Sequence, residues 1–188
     1  MPKKSKFTRE EVVEVAFNLL REKGEGYLTA REVGKALGTS TSPVFTFFDD
    51  MESLKKAVGQ RIENYGLELF KEAELHQSVF KHVGINLIKM AKNEPNLFKY
   101  VFMRPSEKKL NYKQNFLLGS LSDNSVSLLQ KEWNLTKEQA EKLLSEAWIT
   151  TYGIAVMVAN NVCDFSDEDI NELLSLSFQG VKSQLLNK

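Results

Sequence analysis

Apolar residues recur three and four apart along almost all of this 188-residue chain, and the breaks between the runs carry helix caps rather than strand or hairpin signals. Thr8 followed by Glu11 has the spacing of a capping box, and Val12, Ala16, Leu19 and Leu20 then share one helical face. Gly24 and Gly26 end that run. Thr29 with Glu32 repeats the box, Val33, Ala36 and Leu37 follow, and Gly38 stops the second helix. Ser42 before Pro43 reads as an N-cap with proline in the first turn. Residues 8–48 therefore read as three short helices, with a tight glycine-containing turn between the second and third.

The same reading continues downstream. Asp50 caps a long helix to about Leu75, and further helices are expected over about Ser78–Asn93 and Pro95–Met103. "RPSEKKLNYK" reads as a polar connector before a helix from about Tyr112 to Trp133. Thr136 with Gln139 opens a helix to about Asn161, and Ser166 with Asp169 opens the last, to about Leu186. The expected fold is all-α with about nine helices: an N-terminal three-helix domain over 1–49 and a larger helical domain over 50–188.

Composition narrows the function. Lys and Arg number 25 and so do Asp and Glu, which excludes a uniformly basic nucleic-acid binder but leaves room for a local patch. Residues 1–62 hold 11 basic and 9 acidic side chains, the remainder 14 and 16. One cysteine, Cys163, permits no internal disulfide framework and fits a reducing, cytoplasmic setting. "MPKKSKFTREE" lacks the apolar core of a signal peptide, and "AWITTYGIAVMVANNVC" suits a buried helix better than a membrane span. His76 and His82 share no helix face, no metal-ligand spacing occurs, and neither a Gly-rich phosphate loop nor G-x-S-x-G is present. Acidic pairs such as Glu10 and Glu11 read as helix starts. No enzyme, metal or cofactor is expected.

The stretch "LGTSTSPVFTFFDDMESL" mixes small hydroxyl residues with three phenylalanines. A short helix, a glycine turn and a second helix opening on small polar groups is a helix-turn-helix pattern, in which the second helix offers its first residues to the major groove. Thr41, Ser42, Pro43 and Thr46 are short enough for close approach to base edges. Val44 and Phe48 are expected to pack back on Val33 and Leu37, with the aromatics holding the helix.

Residues 8–58 resemble the N-terminal domain of TetR/AcrR-family transcriptional regulators, through "VVEVAFNLLREKG", "TAREVGKALGTS" and "PVFTFFDDMESL". The resemblance implies a phosphate contact at Thr29, and places Val44, Phe45 and Phe48 on the family's Leu-Tyr-x-x-Phe pattern. The implied DNA-binding set is Lys4, Lys6, Thr29, Ser40, Thr41, Ser42, Pro43, Phe45, Thr46 and Phe47. Two residues depart from the pattern: Phe45 stands where a tyrosine usually meets a phosphate, and Met51 where a lysine does. Asp49 and Asp50 add negative charge beside them, and a basic N-terminal arm with Lys3, Lys4, Lys6 and Arg9 is the expected compensation.

The resemblance further implies a C-terminal domain for effector binding and dimerisation. "AWITTYGIAVMV" is similar to a Trp-x-x-x-His-Gly segment of some members, with Tyr152 in place of the histidine. Ala147 to Ala159 is apolar nearly all round and so is expected to be covered on two sides. The expected dimer interface is Ile149, Gly153 and Val156 with Leu173, Leu176 and Gly180. The expected effector-lining residues are Met90, Phe98, Phe102, Met103, Phe116, Trp148 and Tyr152. The implied function is a ligand-responsive regulator: a homodimeric repressor on a palindromic double-stranded operator, released by a small apolar or aromatic effector. The alternative is a dimer of the same fold that binds a small molecule or protein and binds DNA weakly or not at all.

Overall fold

The computed structural model describes residues 6–73, 79–105 and 120–186. Regular structure among them is entirely helical, as the periodicity requires: α1 (Arg9–Lys23), α2 (Ala30–Ala36), α3 (Ser42–Phe47), α4 (Met51–Ala73), α5 (Val79–Asn93), α6 (Pro95–Phe102), α7 (Ser120–Trp133), α8 (Lys137–Ala159) and α9 (Asp167–Leu186), with a 3-10 turn at Glu25–Tyr27. The expected start of α7 at Tyr112 lies outside the described residues. So do Lys3, Lys4, His76 and Phe116.

The caps explain most boundaries. The Thr8 hydroxyl accepts the Glu11 amide N–H at 3.1 Å while the Glu11 carboxylate accepts the Thr8 amide at 2.8 Å. Thr136 and Gln139 repeat this at α8, and Ser166 and Asp169 do so before α9. Asp50 accepts the Ser53 amide at 2.8 Å, which opens α4 and holds its carboxyl below the usual range through hydrogen bonds from Ser53. At α3 the boundary differs by one residue. Ser42 is the first helical residue, and Thr41 is the N-cap without a side-chain capping bond. The short α3 is therefore held by its buried side rather than by its cap. α8 ends at Ala159, two residues early, where Asn161 turns into left-handed backbone at φ 52°.

The chain divides into two compact units, Met1–Glu68 with Glu94–Met103, and Leu69–Asn93 with Arg104–Lys188. This differs from a boundary between 49 and 50, for two reasons visible in the first unit. Leu54 and Val58 of α4 are fully buried within it, as are Leu97 and Phe98 of α6. α6 also packs on α1 and is fastened to it by polar bonds. The Asn96 amide donates to the carbonyls of Arg21 and Glu22, at 3.2 and 3.0 Å, and so covers the open end of α1. Arg21 donates twice to Glu94, Nε at 2.8 Å and Nη2 at 2.7 Å, and Tyr65 donates to the same carboxylate at 2.8 Å.

In the second unit α8 is central and packs against α5, α7 and α9. Val126, Leu129, Leu135, Ala140, Leu143 and Leu144 form a buried cluster, flanked by Trp133, Phe178, Val181 and Leu185. α5 approaches closely at Gly84, where an added Cβ would lie 3.3 Å from the Thr151 hydroxyl oxygen. Thr150 and Ser177 share a 2.8 Å hydroxyl–hydroxyl bond between α8 and α9.

Candidate nucleic-acid interface

α2, the turn and α3 form the helix-turn-helix unit, and its closeness depends on Gly34. A Cβ built there would stand 2.4 Å from the Ser40 carbonyl oxygen, and the Thr39 amide donates to the Gly34 carbonyl at 2.9 Å. The chain thus folds back directly over the α2 backbone. Gly38 makes the reversal at φ 69°, a left-handed conformation that glycine adopts without a Cβ penalty. Val33, Val44 and Phe48 are buried and fix α3 against the first unit's core. The Arg9 guanidinium stacks over the Phe48 ring, 4.8 Å from its centroid.

The expected DNA-facing residues do not all share one surface. Ser40, Ser42, Phe45 and Thr46 are exposed, and Thr41 and Phe47 are half-buried. Pro43 is buried beside Val44, so it belongs to the packed side of α3 and is removed from the expected contact set. The three phenylalanines separate as well: only Phe48 holds the helix, and Phe45 is 55 % exposed. Thr29 is exposed at the start of α2. Its oxygen accepts the Glu32 amide at 3.3 Å, which leaves the hydroxyl proton for an outside acceptor. Lys6 is exposed, 5.7 Å above the Phe7 ring.

Beside this face lies a shallow open depression lined by Arg31, Lys35, Gly38, Thr39, Ser40 and Thr41. Arg31 and Lys35 are four apart and both exposed, so α2 sets two cations next to the hydroxyl residues of the turn. Sequence reasoning passed over both, although their spacing on the polar side of α2 was the signal. A second depression between α1 and α4 is lined by Arg9, Lys56 and Arg61 together with Glu10 and Glu14. There the Arg61 Nε donates to Glu14 at 2.9 Å and the charges are mixed.

The candidate effector residues fall in both units. Phe98 and Phe102 belong to the first, with ring centroids 5.1 Å apart, and Met103 is exposed at the end of the same helix. Met90, Trp148 and Tyr152 belong to the second, where the Trp148 and Tyr152 rings lie nearly parallel with centroids 6.4 Å apart. Phe98 is fully buried and serves the core of its own unit. Neither depression described above is lined by any of these residues. Of the expected dimer residues, Ile149, Leu173 and Leu176 are exposed, by 47, 39 and 63 %. Gly153 and Gly180 would admit a Cβ with no neighbour within 4 Å, so nothing among the described residues requires glycine there. Val156 is half-buried.

Among the described residues no group of three His, Cys, Asp or Glu side chains converges to hold a metal, and no helix is long and apolar enough to cross a membrane. Comparison with family models gives no match, and neither do comparisons with curated proteins and with solved structures.

Proposed function

We propose that the chain is a DNA-binding transcriptional regulator of the TetR/AcrR kind, acting as a homodimer on a two-fold operator and released by a small apolar or aromatic effector. The observation that carries the reading is the exposed face of α3, rich in small side chains, set beside Arg31 and Lys35 on a turn that only glycine at 34 permits. Small side chains let the helix approach base edges, and flanking cations supply the phosphate attraction that gives most non-specific affinity. The uncovered apolar residues of α8 and α9, with two glycines that nothing among the described residues explains, support a second copy as partner. Two copies would read half-sites about 34–36 Å apart. An effector would act by favouring a spacing that no longer fits, which requires unequal affinity for the two states.

A second reading is a dimer of this build whose partner is not DNA. What favours it is Asp49 and Asp50, both exposed just after α3, with the Asp50 carboxyl held below its ordinary range by hydrogen bonds from Ser53. Two fixed anions there oppose a phosphate backbone. A selection from a pool of random duplexes separates the readings. Enrichment of a palindromic sequence by the intact protein is the expected result, and no enrichment at low salt would defeat the first reading.

A further inference from the structure

At about 100° per residue the positions of α3 sort cleanly. Pro43, Val44 and, just past the helix, Phe48 occupy the buried arc, and the half-buried Phe47 falls between Pro43 and Val44 on it. The exposed arc holds Ser42, Phe45 and Thr46, three and four apart. Its one large side chain is therefore a hydrocarbon ring with neither donor nor acceptor. The Thr46 hydroxyl donates to the Ser42 carbonyl at 2.8 Å, which commits its only proton inside the helix. This face is poor in hydrogen-bond donors, and the side chains that read purine edges by paired hydrogen bonds, Arg, Lys, Asn and Gln, are absent from it.

One base in the major groove offers an apolar feature, the 5-methyl group of thymine. The phosphate hydrogen bond implied for a tyrosine at this position is closed to a residue without a hydroxyl. We infer that Phe45 reads a thymine 5-methyl group in the major groove, making it a specificity residue rather than a backbone anchor. The inference rests on the DNA-binding reading above and names what that surface recognises. Arg31 and Lys35 would fix the register through phosphates, while the ring would discriminate the base beneath it.

Deoxyuridine provides the test, because it removes only the methyl group. An operator is first enriched from random duplexes with the intact protein, and each thymine of a half-site is then replaced singly by deoxyuridine. At one position per half-site the wild-type protein should bind about fourfold more weakly, the change expected for one buried methyl. Phe45→Ala should bind the thymine and deoxyuridine duplexes equally, and Phe45→Leu should keep part of the difference. Residue 45 is exposed, so thermal melts of both variants should match the parent. If an operator is enriched and no thymine shows a methyl effect, or Phe45→Ala retains it, the inference is overturned while the DNA-binding reading stands. If Phe45→Ala instead lowers self-association and leaves the methyl effect intact, the ring faces a second copy and the inference is again overturned. Failure to enrich any duplex removes the DNA-binding reading itself, and this inference with it.

Discussion

A Cβ at position 34 would have to occupy space 2.4 Å from a backbone oxygen, and a backbone cannot step aside as a side-chain tip can. Gly34→Ala should therefore force α2 away from the turn. Helix propensity alone would favour alanine there by about 1 kcal/mol. We expect the opposite sign, a loss of about 1–3 kcal/mol of the kind seen on overpacking. Thermal denaturation checks it, and a stabilised variant would show that the turn relaxes freely. Lys35 makes a different prediction. Lys35→Ala should weaken binding about equally on operator and random duplex and reduce the log–log salt slope by roughly one. Titrations at several salt concentrations measure this, and an unchanged slope would place Lys35 away from the phosphates. Gly34 was illegible in the sequence for a plain reason. Its requirement comes from Ser40, which reaches it only after the chain has turned. The cap residues Thr8, Thr136 and Ser166 were legible because each bonds a residue three positions on.

Among the helices, α6 has the most unusual attachment. It is short, yet its N-cap residue Glu94 gathers two bonds from Arg21 and one from Tyr65. Burial pushes the Glu94 carboxyl up, but the hydrogen bonds from Arg21 and Tyr65 outweigh it, and the net shift is below the ordinary value. Burial and the Glu94 bond push Tyr65 up to about 12. A depressed carboxyl stabilises the fold fully above its unfolded pKa of about 4.3, and this contribution is lost as pH falls through the folded value. Glu94→Gln keeps the size and removes the charge. It should cost about 1–3 kcal/mol at neutral pH, and the gap to the parent should narrow as pH falls toward 3. Melts across that range measure it, and a gap independent of pH would mean that the Glu94 charge contributes little. The existence of α6 was readable from Pro95 and its apolar spacing. Its attachment was not, because Arg21 and Glu94 stand 73 residues apart and no local pattern links them. The three phenylalanines of the α3 region teach the same lesson. Their helical positions could be counted, but which arc faced the core depended on where α2 lay.

For the whole molecule, the exposed residues of α8 and α9 carry the prediction. Leu176→Glu, at a position 63 % exposed, should leave the monomer's core intact and abolish self-association. Light scattering at micromolar concentration should give a dimer for the parent and a monomer for the variant, with operator affinity falling alongside. A parent that is monomeric would sink the two-fold reading. The helical architecture was legible from the sequence nearly throughout, because periodicity and caps are local. The division into units was not, because it follows from which buried surfaces meet.

That division bears on how such a protein can be taken apart. The first unit is written in two separate passages of the chain, up to Glu68 and again from Glu94 to Met103. A fragment that stops at residue 49, or even at 68, would expose the surface that Leu97 and Phe98 cover and leave Arg21 without its carboxylate. No single cleavage releases this unit whole. A minimal version of the unit would need the second passage supplied as a separate peptide or spliced on through a new linker. Exchange of this module between chains of the same build, by an engineer or by recombination, would have to move both passages at once.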